Sequence, residues 1–94
     1  MLNATLEEIE IKEQVQTLEF TNAHELVVFN DDVNTFDHVI DALVKVCDHS
    51  LEQAEQCTFL IHHRGQCSVK EGEFETLVSQ RNAICKRGIN AEVI

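Results

Sequence analysis

The sequence predicts an α+β domain: a small two-layer α/β sandwich ordered β-α-α-β-α-β, with a three-stranded sheet and three helices on one face. Three observations predict it. Short apolar runs of strand length alternate with stretches of helical period, helix starts and stops fall at recognisable residues, and turn formers separate the elements. At 94 residues, the chain has room for one small domain.

The first strand is "ELVVF", an apolar run rich in β-branched residues that reads as buried. It stops on "NDDVNT", whose Asn and Asp side chains bond their own backbone and favour a turn. Phe36, Val39, Ile40, Leu43, Val44 and Cys47 then recur at helical spacing and form one stripe. Asn34 or Thr35 can cap this helix, and Asp37 suits its positive end. A second helix starts at "SLEQ", where Ser50 and Gln53 have capping-box spacing. Ala54, Cys57, Thr58 and Ile61 line one face of it, with Leu60 beside them, and Gly65 stops it. "QCSV" is a short extended stretch. The third helix carries Phe74, Leu77, Val78, Arg81, Ile84 and Cys85 at helical spacing. Glu71 and Glu73 stand near its start, Lys86 and Arg87 near its end, each sign matching the dipole. Gly88 ends it. "INAEVI" alternates Ile89, Ala91 and Val93 against Asn90 and Glu92, as a half-buried final strand does.

Residues 1–22 differ from the rest. Glu7, Glu8, Glu10, Glu13 and Glu19 outweigh Lys12, and the apolar residues keep no firm period. They are expected to form a flexible acidic extension ahead of a core domain at 23–94. The formal net charge of −10 argues against nucleic acid or anionic membrane as partner and favours a cationic one. No apolar run is long enough to span a bilayer, and the N-terminus lacks a signal-peptide core. A cytoplasmic monomer is the expectation. Cys47, Cys57, Cys67 and Cys85 show no zinc-ligand spacing and read as small buried residues or free thiols. A disulfide framework is the other reading. "HHRGQC" invites a metal, but consecutive His residues point to different sides of a helix. A Cys–His enzyme would need an activated thiolate and an orienting group, which nothing marks. No cofactor and no enzymatic activity are expected.

"VVFNDDVNTFDHVIDAL" followed by "EQAEQCTFLIHHRGQC" resembles ClpS, the adaptor family that hands N-degron substrates to the Clp protease. The shared pattern is an apolar strand, Asn-Asp-Asp, a short loop, a helix opening on a large apolar residue, and about 30 residues later a helix ending in His-x-x-Gly. Here these are Asn30-Asp31-Asp32, Phe36, and His62 with Gly65. The resemblance covers residues 24 to about 86 well.

That resemblance implies a site for a free α-amino group, a cation with N–H donors that needs converging acceptors. Asn30 and Asp31 would accept from the ammonium and the first backbone N–H. Neutral His62 would add a ring nitrogen, and Asp32 negative potential. An apolar pocket for a first residue of Leu, Phe, Tyr or Trp would involve Asn34, Phe36, Val39, His49, Thr58 and Ile89. The family's Thr-Pro-Met reads Asn34-Thr35-Phe36 here, so the gate is aromatic. His49 and Thr58 stand where many relatives have Met. The resemblance also implies delivery to the N-terminal domain of a Clp AAA+ ATPase. Glu75 matches an acidic docking position, and Gln80 stands at a basic one, with Arg81 adjacent. A second class of function belongs to the C-terminal domain of the ribosomal stalk protein, a protein-binding module of similar fold. That domain carries basic helices and an Ala/Gly-rich hinge, and this acidic chain has neither.

Overall fold

The structure, a computed structural model, describes residues 24–94. The acidic stretch 1–22 lies outside the described residues. The elements follow the expected order. They are β1 (His24–Phe29), α1 (Phe36–Cys47), α2 (Leu51–Arg64), β2 (Gln66–Gly72), α3 (Phe74–Lys86) and β3 (Ala91–Val93). The sheet is antiparallel throughout, in the order β2-β1-β3. β1 therefore lies in the middle, which explains why Leu26, Val27 and Val28 are all buried.

The helix signals act as the residue chemistry dictates. Thr35, in extended backbone, accepts a hydrogen bond from the His38 N–H and caps α1. Ser50 does the same for α2 through the Gln53 N–H, at 3.1 Å. Glu73 precedes α3 without a side-chain cap. Glu71, expected near that helix, belongs to β2. That strand is longer than the "QCSV" stretch implied, because Glu25 and Leu26 of β1 pair with Glu71 and Lys70. A bulge between Leu26 and Val27 shifts the register midway.

One core joins the layers. Leu26 and Val28 of β1, Val69 of β2 and Ala91 of β3 meet Val39, Ala42, Leu43 and Cys47 of α1, Ala54 and Ile61 of α2, and Leu77 and Ile84 of α3. Ile89, ahead of β3, completes it. All four cysteines are free thiols. Burial pushes the Cys47 thiol up to about 11, so it sits in the core as a neutral apolar group.

Candidate functional site

The loop after β1 is held from both sides. At its start, the Asn30 N–H donates to the Gly65 carbonyl at 2.8 Å. Gly65 is the left-handed cap of α2, with φ 89°, and its own N–H bonds Ile61. The Asn-Asp-Asp run is thus tied by one backbone bond to the end of the helix that carries His62. An alanine at position 65 would meet no atom within 4 Å, so its cost is backbone strain alone. Gly65→Ala is expected to lower stability by about 1–2 kcal/mol. Urea denaturation would read this as a lower midpoint at constant slope, and an unchanged midpoint would refute it.

Further along, Asp31 organises the loop. Its Oδ1 accepts from the Val33 N–H at 2.9 Å and the Asn34 N–H at 2.7 Å, and its Oδ2 accepts from Asn34 Nδ2 at 2.6 Å. Hydrogen bonds from the Asn34 backbone, the Asn34 side chain and the Val33 backbone hold this carboxyl below its ordinary 3.8, and the nearby His38 adds to the effect. Asn34, a possible cap for α1 by sequence, instead spans from Asp31 to the Gly88 carbonyl, 2.9 Å away. Thr35 caps the helix.

Phe29, Asn30, Asp31, Asn34, Val39, Ile61 and Ile89 line a cleft of about 10 Å³, room for about one water. Five of the expected residues therefore come together: Asn30, Asp31, Asn34, Val39 and Ile89. Phe36 and His62 meet edge to face, with ring centroids 5.1 Å apart. Phe36 is 43% exposed, and His62, directly after Ile61, is also exposed. Asp32 is exposed on the same loop.

His49 and Thr58 do not line this cleft. Both are buried. Thr58 turns its hydroxyl back to the Ala54 carbonyl at 2.7 Å. His49 Nε2 lies 2.6 Å from the Val69 carbonyl, which can only accept, so Nε2 carries the proton. Its Nδ1 is buried with no partner. Thr58 Oγ1 and His49 Nε2 are thus taken up by helix and strand backbone.

On α3, Glu75 is exposed. Gln80 and Arg81 are engaged inward. Gln80 reaches the Val46 carbonyl at 3.5 Å, and Arg81 Nε donates to the Ala91 carbonyl at 3.1 Å. The sequence reading missed Phe29 and Ile61 as cleft residues. Ile61 was legible as the neighbour of His62, but its stripe position looked like ordinary core. Among the described residues, no three His, Cys, Asp or Glu side chains converge to hold a metal ion, and no helix is long and apolar enough to cross a membrane.

Comparison with known proteins agrees with the fold. The family model described as ATP-dependent Clp protease adaptor protein ClpS matches residues 19–91. The ATP-dependent Clp protease adapter protein ClpS of Campylobacter jejuni is 40% identical over 57 residues, covering 55% of this chain and 59% of that protein. The chain thus matches somewhat more than half the length of that relative. E3 ubiquitin-protein ligase UBR1 of Mus musculus is 34% identical over 70 residues, covering 74% of this chain and 4% of the ligase. The solved structure of Agrobacterium tumefaciens ClpS2 bound to L-phenylalaninamide shares the fold, with a TM-score of 0.70 at 17% identity over 76% of this chain and 93% of that one. The family that these matches share is described as that of an adaptor of the ATP-dependent Clp protease. The chain belongs to the ClpS family.

Proposed function

We propose that this adaptor binds the free N-terminus of proteins that begin with Leu, Phe, Tyr or Trp, and delivers them to a Clp AAA+ unfoldase. The observation that carries the reading is the union of two distant motifs. The Asn30–Gly65 bond at 2.8 Å brings the Asn-Asp-Asp loop to the His62 end of α2, around a cleft with Val39, Ile61 and Ile89 in its wall. An ammonium group needs acceptors and negative charge, and the adjoining side chain needs an apolar wall. This rim offers both. ClpS2 of Agrobacterium tumefaciens was solved with L-phenylalaninamide, a molecule with a free α-amino group and an aromatic side chain, which supports the same chemistry here.

In this reading, Asn30 and Asp31 accept from the ammonium and the first peptide N–H. Asp31 has oxygen lone pairs beyond those its loop occupies. Neutral His62 contributes a ring nitrogen, and Asp32 adds potential. The side chain enters beside Val39 and Ile89. The cleft is too small for it as it stands, so its walls part on entry, with Phe36 as the aromatic gate beside them. Glu75 faces the ATPase, and the 1–22 segment serves as the extension that engages the unfoldase, in the cytoplasm.

Titration of fluorescent peptides beginning with Leu or Phe, each against its acetylated twin, tests the proposal. The free amines are expected to bind at least about 100-fold more tightly, since acetylation removes the charge and its hydrogen bonds. Equal binding of the twins, or none by either, would end the idea.

A further inference from the structure

The Asn-Asp-Asp loop is attached at a second place, with no counterpart in the motifs that point to the site. The turn after α3 presents two successive carbonyls to it. The Gly88 carbonyl accepts from Asn34 Nδ2 at 2.9 Å. The Arg87 carbonyl lies 2.7 Å from His38 Nε2, on α1. A carbonyl only accepts, so this ring nitrogen carries the proton. The Arg87 side chain returns to the same helix, where Nη1 donates to Asp41 Oδ2 at 3.0 Å. Asp41 also pairs with Lys45. Three groups of the loop and α1 (Asn34, His38 and Asp41) are thus bonded to two adjacent residues of one turn. The chain of bonds ends on Asp31, because the Asn34 amide nitrogen that reaches Gly88 also reaches Asp31 Oδ2 at 2.6 Å.

We infer that the Arg87–Gly88 turn sets where the Asp31 carboxylate stands, and that His38 and Asn34 are positioning residues for the ammonium site. Neither acts on the ligand in this role. Asn34 holds one oxygen of Asp31 in place, and His38 fixes the turn against which Asn34 is braced. Gly88 suits this turn because its φ of 82° lies where other residues are strained. The part that concerns ligand affinity rests on the function proposed above, whereas the part that concerns the loop does not.

The test has two readouts on the full chain. In the first, amide hydrogen exchange is followed at Val33 and Asn34, whose N–H groups donate to Asp31, and at Leu77 and Ile84, buried in α3. His38→Ala is expected to speed exchange at Val33 and Asn34 about tenfold, as loss of one bond in a chain allows, and to leave Leu77 and Ile84 unchanged. His38→Gln, which keeps a side-chain N–H donor, should restore the slow exchange. Should His38→Ala fail to fold, Asn34→Asp removes the Nδ2 donor directly and carries the same expectation. Unchanged exchange at Val33 and Asn34, or equal acceleration at all four amides, overturns the inference. The second readout is the affinity ratio between a free-amine Leu peptide and its acetylated twin. It should fall about tenfold in His38→Ala and recover in His38→Gln. If the unsubstituted protein shows no preference for the free amine, the functional reading fails, and the exchange data still decide the positioning role.

Discussion

Asp31→Ala is expected to abolish recognition of free N-termini, with a loss of about 30-fold to several thousand-fold in affinity. Truncating one partner of a hydrogen-bonded charge pair costs about 2–5 kcal/mol, which spans that range. Asp31 does two jobs in the proposed site. It supplies the anionic charge opposite the ammonium, and it holds the loop through Val33 and Asn34. Alanine removes both, so stability should fall too, by about 1 kcal/mol, because the bonds lie near solvent. Affinity for the acetylated peptide, already weak, should hardly change. The pH dependence has a definite sign. The folded-state pKa of Asp31 lies below its ordinary value of 3.8. Its contribution to stability is therefore fully present above that value and is lost as pH falls through the lower, folded-state pKa. The unsubstituted protein should lose stability there, and Asp31→Ala should lose less over the same range. Tight free-amine binding by Asp31→Ala, measured by peptide anisotropy, would remove Asp31 from the site.

The second large effect concerns the core. Leu43 is 1% exposed and lies where α1 meets the other layers. Leu43→Ala should cost about 3–5 kcal/mol, for the buried methyl groups lost and the cavity left. A domain of this size has only about 4–10 kcal/mol in all. The melting temperature should drop by at least about 12 °C. Leu51→Ala, at a position 62% exposed, should stay within about 0.5 kcal/mol of the unsubstituted protein. A loss below about 1 kcal/mol for Leu43→Ala would contradict the packing described.

The element order was legible because each signal was local. Thr35 and Ser50 cap helices wherever they precede an apolar stripe, and Gly65 ends one because only glycine adopts its φ without strain. Ile89 and Ala91 could be assigned to the core from alternation alone. What escaped was decided by partners distant in sequence. The true length of β2 depends on its register with β1. His49 looked like a pocket wall, yet the carbonyl that captures it belongs to Val69, on a strand formed later in the chain. Asn34 could have capped α1, but Gly88 draws its amide away. Gln80 stood at a docking position of the resemblance with Arg81 beside it, and the bonds that both make to backbone carbonyls were not legible in the sequence. Asn30, Asp31 and His62 were singled out by the family resemblance, and no local rule predicted the bond from Asn30 to Gly65 that ties the loop to the end of α2.

The central place of β1 has a bearing on synthesis. The first strand of the domain to leave the ribosome pairs with the last, Val28 against Ala91, and the cleft needs Ile89 from near the C-terminal end. Such long-range closure raises contact order and slows folding. Until residues beyond Ile89 have emerged, β1 has an open edge and the acceptor loop lacks its far wall. During synthesis, the cleft at the Asn-Asp-Asp loop is therefore closed late, after the rest of its wall has emerged.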